Sequence, residues 1–220
     1  MKKILLTYLI CYLFSNLLGC SKKQVDFPEN KSKDDQIVFT EIDFNPAKGC
    51  PDTIYKDWKT SEYVLPYPVG SAYRVMLSHC SCSYHSVGRP DQFVIDFEMS
   101  VGTMITASRA GKAVFIEETG VDGGFPNNLA AIKHEDRMIA MYMHLTAYGA
   151  IVRVGDEVTQ GQEIALSGNT GLAGYAHLHF VVVKGDYSYP YVSLPTTFKN
   201  TSQNKRSLAL NTIYEAFQHQ

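Results

Sequence analysis

The chain has 220 residues, a formal net charge of −2 and an apolar content of 45%. This length supports one sizeable core, and the 14 tyrosines and 11 phenylalanines favour a globular, β-rich domain. A nucleic-acid-binding protein usually carries a strongly basic face, so the composition gives no indication of a nucleic-acid partner.

The amino terminus has the plan of an export signal. Two lysines precede an apolar run over residues 4–18, and Gly19 and Cys20 follow it. The sequence LLGC at residues 17–20 resembles the lipobox of bacterial lipoproteins, which implies cleavage before Cys20 and lipidation of its thiol. We therefore expect residues 1–19 to be a lipoprotein signal peptide. An uncleaved anchor is the alternative, but the run is short for a membrane span of about 20 residues.

A polar, charged stretch follows the signal, and it lacks apolar periodicity. We expect residues 20–48 to form a flexible tether and arm between the lipid and the folded domain. Serine rather than aspartate at position 21 favours sorting to the outer membrane in a cell with two membranes. The expected location is the periplasmic side of that membrane, with the membrane as a partner through lipidated Cys20.

Three cysteines remain once the signal is removed, namely Cys50, Cys80 and Cys82. They cannot all pair within one chain, so we expect a disulfide from Cys50 to either Cys80 or Cys82. A C-x-C-x-x-H metal site made of Cys80, Cys82 and His85 is the alternative, because thiolate and imidazole both suit zinc. The lack of a second cysteine pair in the sequence disfavours this alternative.

From Val64 onward, short apolar or alternating runs are separated by glycine, asparagine and charged turns. This pattern predicts a mainly β, antiparallel domain over residues 49–195. Residues 196–205 have the composition of an exposed connector. Residues 206–217 are the best helix candidate, so we expect residues 196–220 to be a connector and a short helix.

The motif AHLHF places two histidines on one face of a strand. Side chains two residues apart in a strand point the same way, so His177 and His179 are expected to lie side by side while Leu178 and Phe180 face the core. Two imidazoles on one face can bind or flank a metal ion. The motif alone does not distinguish a metal site from two solvated histidines.

Two further residues add to this pattern. His144 stands at the end of the run MYMHL, where a hydrogen bond to the backbone is the simpler role. Asp96 stands within the apolar run FVIDF, where an ionised carboxylate needs a cation, amide donors or a metal as its partner. Three histidines and one aspartate at strand positions have the composition of a catalytic zinc site.

Residues 64–185 resemble the lysostaphin-type (LytM-like) zinc metallopeptidases, whose members cut peptide bonds in bacterial peptidoglycan. The resemblance follows four segments in order: FVIDF with SVGTMITASRAGKAVFIEE, AAIKHEDRMIAMYMHL, VRVGDEVTQGQEIALSGNTG, and HLHF before a last strand. It implies an antiparallel β-sheet or barrel-sandwich-like peptidase core with a narrow groove over the zinc ion.

The resemblance also implies roles for individual residues. It makes Asp96 and His179 ligands of Zn²⁺, and it makes His144 and His177 the catalytic imidazoles that act on the attacking water and stabilise the oxyanion. Three protein ligands around zinc leave a position open for chemistry. The sequence contains no H-E-x-x-H, which argues against a helix-based zinc peptidase.

The first ligand departs from the family's usual pattern. Many relatives have a histidine four residues before the aspartate, but here that position is Gln92, a poor zinc ligand. Relatives with a longer insertion carry a histidine-containing turn before the strand, and His85 ahead of FVIDF resembles that arrangement. We expect the RPDQ loop to bring His85, rather than His79, to within about 4 Å of Asp96 and His179. If neither histidine reaches Asp96, the site is dead.

Three functions are compatible with these patterns. The first is a membrane-tethered zinc metalloendopeptidase that hydrolyses peptide cross-links of peptidoglycan. The second is a catalytically silent relative that binds peptidoglycan or activates another cell-wall hydrolase, and the third is a lipoprotein wall anchor whose histidines are incidental. The retention of all four residues that match the family's site favours the enzyme, with Zn²⁺ as its cofactor and peptidoglycan peptide as its substrate.

Overall fold

The structure, a computed structural model, describes residues 47–219. The expected signal peptide, the lipidation site Cys20 and the expected tether up to residue 46 lie outside the described residues. Within residues 47–219, no helix is long and apolar enough to cross a membrane.

Twelve strands and two single turns of 3-10 helix make up the regular structure of residues 47–219. The 3-10 turns are Trp58–Thr60 and Ser83–His85. The strands are β1 (Ala72–Leu77), β2 (Ile95–Glu98), β3 (Met104–Thr106), β4 (Gly111–Glu117), β5 (Leu129–Lys133), β6 (Met138–Met143), β7 (Leu145–Ala150), β8 (Glu157–Val158), β9 (Glu163–Ser167), β10 (His177–Lys184), β11 (Val192–Leu194) and β12 (Ile213–Glu215).

The strands form two antiparallel sheets in the described part of the chain. The larger sheet has the order β12-β1-β2-β10-β6-β5-β4-β8, and β11 also pairs with β10. The smaller sheet has the order β3-β9-β7. Every strand pair is antiparallel, so the prediction of a mainly β, antiparallel domain is confirmed.

The period of two along each strand divides the apolar residues between the faces of the larger sheet. On β10, Phe180 and Val182 belong to the main core, which also contains Ile105 and Ile164 of the smaller sheet. The intervening residues Val181 and Val183 belong to a second cluster with Met141 and Met143 of β6. The main core therefore includes residues of both sheets, and the histidines of β10 share the face of the second cluster.

The predicted helix over residues 206–217 is wrong, because this segment contains β12. Tyr214 of β12 lies opposite Tyr73 of β1 and is 3% exposed. The Ala209 N–H donates to the Tyr214 hydroxyl (2.8 Å), and the Tyr67 hydroxyl donates to the Tyr214 carbonyl (2.7 Å). Burial of this aromatic ring outweighs the weak helix propensity of the segment.

The prediction of an exposed connector at residues 196–205 is also wrong. Phe198 is fully buried, and its ring contacts the rings of Phe97 and Phe180 in the main core. Asn204 is buried as well: its side chain accepts a hydrogen bond from the Phe198 N–H and donates one to the Phe198 carbonyl. The polar composition reflects local hydrogen bonding of this kind rather than exposure.

Candidate metal centre

Strands β2 and β10 bring Asp96 and His179 together. The two residues are direct partners in the antiparallel register, so their side chains lie on the same face of the sheet. His179 Nδ1 lies 3.0 Å from Asp96 Oδ1. Side chains alternate between the two faces of β2, so Ile95 and Phe97 pack in the main core while Asp96 points to the opposite face.

His85 reaches this pair from a loop that precedes β2. The Cys80 N–H donates to the Gln92 carbonyl (2.7 Å) and closes the loop, and His85 ends the 3-10 turn within it. His85 Nε2 lies 3.3 Å from Asp96 Oδ2, and the His85 ring is perpendicular to that of His179 with centroids 5.5 Å apart. The structure therefore brings His85 to the Asp96 carboxylate.

The two other candidates for the first ligand lie elsewhere. The Gln92 side chain accepts a hydrogen bond from the Gly88 N–H (2.9 Å), so this residue shapes the loop. His79 is buried between the rings of Tyr55 and Phe93, and its Nδ1 lies 3.2 Å from the Tyr55 hydroxyl. Neither side chain belongs to the groups that could hold a metal ion in residues 47–219.

The expected disulfide joins Cys50 to Cys80 and not to Cys82. The alternative C-x-C-x-x-H metal site fails, because the Cys80 sulfur is already bonded to Cys50 and is not a thiolate ligand. The disulfide ties the base of the loop that carries His85 to the segment before β1.

The residues around Asp96 suit a divalent transition metal. One ligand atom from each of His85, Asp96 and His179 lies within 4.8 Å of the other two. His85 and Asp96 are buried, and the His179 side chain is 12% exposed. Asp96 Oδ1 has no hydrogen-bond partner of good geometry within residues 47–219, although a ring nitrogen is nearby. Two imidazoles and one carboxylate with an unsatisfied oxygen form a donor set that fits zinc.

His144 and His177 lie against the same group. The ring of His144 has its centroid 4.7 Å from that of His177 and 5.3 Å from that of His179. The backbone carbonyls of Thr170 and Tyr175 lie 2.7 and 2.8 Å from the Nδ1 atoms of His144 and His177. A carbonyl only accepts, so each Nδ1 carries a proton and each neutral ring has its Nε2 lone pair available.

Local structure holds His144 in an unusual backbone conformation. Its φ is 64°, in the left-handed region, at the point where β6 ends and β7 begins. Its N–H donates to Asn127 Oδ1 (3.1 Å). Gly171 makes room for this contact, because a Cβ atom there would lie 2.6 Å from Asn127 Cβ.

The pKa values divide these groups into charged and neutral ones. Burial raises the pKa of Asp96, but the neighbouring His85 and His179 outweigh this effect and hold it well below its usual range. Burial lowers the pKa of His179, but Asp96 and Asp91 reverse the shift and raise it to about 9. Burial, with the charge of His179, lowers the pKa of His144 to about 3, and burial also lowers that of His177. The last two rings are therefore neutral bases at neutral pH.

Two residues near His179 were not singled out from the sequence. Asp91 Oδ1 lies 3.8 Å from His179 Nε2, and the Tyr191 hydroxyl donates to the same oxygen. Asp91 belongs to the RPDQ loop, which was expected to bring His85 to Asp96. The acidic residue in that loop could therefore have been recognised from the sequence as a neighbour of the metal site. Tyr191 follows a turn, and no sequence pattern indicated that it lies near the site.

Comparison with known proteins gives a family match over the strands that carry the site. Residues 92–190 match the family model described as "Peptidase family M23". This range includes Asp96, His144, His177 and His179, whereas His85 lies before it.

Two curated relatives and one solved structure are similar to part of the chain. The chain is 32% identical over 128 residues to "Glycyl-glycine endopeptidase ALE-1" of Staphylococcus capitis, an alignment that covers 57% of this chain and 34% of that protein. It is 32% identical over 122 residues to "Peptidoglycan DD-endopeptidase ShyA" of Vibrio cholerae serotype O1, covering 54% and 27%. A solved structure of lysostaphin from Staphylococcus simulans aligns with a TM-score of 0.45 and 27% identity, covering 59% and 49%. The chain thus spans about a third or less of these curated relatives.

Proposed function

Since residues 92–190 match the model of peptidase family M23, we propose that the chain is a zinc-dependent endopeptidase that hydrolyses peptide cross-links of bacterial peptidoglycan. The observation that carries the proposal is the buried group of His85, Asp96 and His179, with His144 and His177 against it. Two relatives whose names describe endopeptidases, one of them acting on peptidoglycan, support the substrate class.

His85, Asp96 and His179 are the residues that would hold the ion. When bound, Zn²⁺ polarises the scissile carbonyl and makes water a stronger nucleophile at neutral pH. The carboxylate is ionised and both rings lie within ligand distance of it, so the three side chains need only small movements to bind.

His144 and His177 supply proton transfer. The Nδ1–H of each ring is held by a backbone carbonyl, so the ring cannot rotate freely. Nε2 of His177 lies 3.7 Å from Asp96 Oδ2, and a ring nitrogen of His144 lies within 4.8 Å of one of His177 and one of His179. A neutral Nε2 takes a proton from the attacking water, and the resulting imidazolium donates from Nε2 to the oxyanion or to the leaving amine. The lowered pKa of both rings keeps the proton-accepting form available at neutral pH.

The catalytically silent alternative rested on a missing first ligand. It required that neither His85 nor His79 approach Asp96, and His85 Nε2 lies 3.3 Å from the carboxylate. This distance favours the enzyme over the silent relative and over a wall anchor with incidental histidines.

The proposed location is the cell envelope, with the chain anchored by lipid on Cys20 on the periplasmic side of the outer membrane. The export-signal pattern of residues 1–20 supports this location. Labelling of cells with a fatty-acid analogue, comparing the parent with Cys20→Ala, tests it. A parent that takes up no label contradicts the lipoprotein proposal and leaves the enzymatic one standing.

Digestion of purified peptidoglycan tests the proposed activity. We expect the mature chain to bind about one equivalent of Zn²⁺ and to release peptide cross-link fragments, identified by mass spectrometry. His179→Ala should lower both to background, whereas His219→Ala, which alters a histidine away from the site, should retain both. A parent that binds Zn²⁺ and leaves peptidoglycan intact would favour the silent relative.

A further inference from the structure

The two ring nitrogens of His179 face two different carboxylates. Nδ1 lies 3.0 Å from Asp96 Oδ1, on the side of the candidate metal group. Nε2 lies 3.8 Å from Asp91 Oδ1. The two nitrogens of an imidazole point away from each other, so Asp91 lies on the far side of the ring from the metal group.

Asp91 is held in place from a distant part of the chain. The Tyr191 hydroxyl donates a hydrogen bond to the same Oδ1 that faces His179. Tyr191 is 8% exposed and comes directly before β11, which pairs with β10, the strand that carries His179. The Asp91 carbonyl also accepts a hydrogen bond from the Val94 N–H (3.0 Å) and fixes the turn into β2. Hydrogen bonds therefore hold both the side chain and the backbone of Asp91.

The charge of Asp91 suits it to accept a proton donor. Its Oδ1 accepts the hydrogen bond of the Tyr191 hydroxyl and lies 3.8 Å from His179 Nε2. The side chain is 15% exposed, so water competes little for its oxygens. A carboxylate oxygen accepts and cannot donate, so a proton shared across this 3.8 Å separation comes from His179 Nε2.

We propose that Asp91 is a positioning residue for His179: it accepts the Nε2–H, with Tyr191 holding its carboxylate, so that the Nδ1 lone pair faces the metal. The hydrogen bond at one imidazole nitrogen selects the tautomer and orients the other nitrogen toward a metal. This inference rests on the metal site of the proposed function. Asp91 and Tyr191, like His85, lie just outside the matched residues 92–190, so the chain's own flanking segments build this support.

A purely structural role is the alternative. Asp91 and Tyr191 connect the loop before β2 to the segment before β11, and this connection by itself could stabilise the fold. The structural role predicts loss of stability without loss of metal affinity. The positioning role predicts loss of metal affinity in a folded protein.

The Zn²⁺ dissociation constant, measured by competition with a chromophoric chelator at fixed pH, separates the two roles. We expect Asp91→Ala in the mature chain to bind Zn²⁺ about 10- to 100-fold more weakly than the parent. Asp91→Asn should lose less, since its amide oxygen still accepts, and Tyr191→Phe should also lose less, since the carboxylate remains. Asp186→Ala, which removes an exposed carboxylate from the nearby turn, is the matched control and should bind like the parent.

Thermal unfolding of the metal-free variants completes the test. A variant that unfolds at a lower temperature but keeps the parent's dissociation constant overturns the positioning role. Equal affinity in Asp91→Ala and the parent overturns this inference while the proposed function stands. A folded parent that binds no Zn²⁺ overturns both, so the two failures are distinguishable.

Discussion

The candidate first metal ligand is His85, and the position that relatives usually use for this ligand carries Gln92. The position four residues before Asp96 carries a glutamine that bonds to Gly88, and the imidazole near Asp96 comes from His85. The loop between them makes the substitution possible, because metal sites depend on spatial closeness and not on spacing in sequence.

Substitution of these two residues tests which one serves the metal. We expect His85→Ala to lose Zn²⁺ binding, because two ligands remain where three are needed. Gln92→Ala should retain binding to within a few-fold, since it loses only a partly exposed loop hydrogen bond worth about 1 kcal/mol. Isothermal titration with Zn²⁺ measures both variants. Retained binding in His85→Ala would show that another residue completes the site.

The burial of His134 makes the stability of the fold depend on pH. His134 is 3% exposed, and its Nδ1 lies 2.8 Å from the Ala110 carbonyl. Burial, with a smaller contribution from Arg109, lowers its pKa below the usual value of 6.5 despite this hydrogen bond. The folded pKa is below the unfolded one, so the unfolded state takes up the proton first and stability falls as pH falls through 6.5.

Urea unfolding between pH 7.5 and 5.5 measures this dependence in metal-free protein. We expect the free energy of unfolding to decrease toward pH 5.5, with His134 contributing up to about 1.4 kcal/mol per pH unit. His134→Asn should have a shallower slope than the parent. An identical slope in the two proteins would mean that protonation of His134 is not linked to unfolding.

The loop over residues 80–92 is the element on which the candidate metal site depends. It is closed by the hydrogen bond from the Cys80 N–H to the Gln92 carbonyl and is tied by the disulfide between Cys50 and Cys80. His85 lies between these ends and is 2% exposed. The position of the candidate ligand is therefore set by a covalent link outside the matched residues 92–190.

Removal of the disulfide should weaken both the fold and the metal site. The two cysteines are separated by 30 residues, and loss of a link of this length costs about 3 to 4 kcal/mol in the free energy of unfolding. We expect Cys50→Ser/Cys80→Ser to bind Zn²⁺ more weakly than the parent, because the base of the loop is released. Cys82→Ser, which keeps the disulfide, is the control.

Chelator competition measures the Zn²⁺ affinity, and denaturant unfolding measures the stability. A double variant that is destabilised yet binds Zn²⁺ as tightly as the parent would show that the loop holds His85 without the disulfide.

At the scale of the whole molecule, the carboxyl-terminal segment completes the domain. Phe198 packs in the main core, and β12 extends the larger sheet beside β1. The matched residues end at position 190, so this segment lies beyond the matched range. Its apolar side chains nevertheless belong to the same core as those of β2 and β10.

Truncation of one side chain on β12 tests this contribution. Tyr214→Ala should lower the free energy of unfolding by about 3 to 5 kcal/mol, because it opens a cavity and removes the hydroxyl that bonds to the Ala209 N–H. Ile213→Ala is the matched control: its side chain is 57% exposed and should change stability by about 0.5 kcal/mol or less. Guanidinium unfolding measures both. Equal stability of the two variants would mean that β12 is not part of the cooperative fold.

The sequence by itself determined the strand character of the domain and the common face of His177 and His179, because both follow from a period of two that is local to the chain. Asp96 could also be recognised locally, since a carboxylate in an apolar run needs a partner. The resemblance to a peptidase family rested on segments of this kind, and residues 92–190 match the model of peptidase family M23.

Only the tertiary structure decided which residues meet. The register of β2 with β10 sets Asp96 opposite His179, and loop closure brings His85 to them. Asp91 and Tyr191 are 100 residues apart and become neighbours through the pairing of β11 with β10. Local helix propensity also gave a wrong prediction for the segment that contains β12, because burial of Tyr214 favours the strand. Contacts between distant segments depend on the packing of the whole chain, which no local pattern contains.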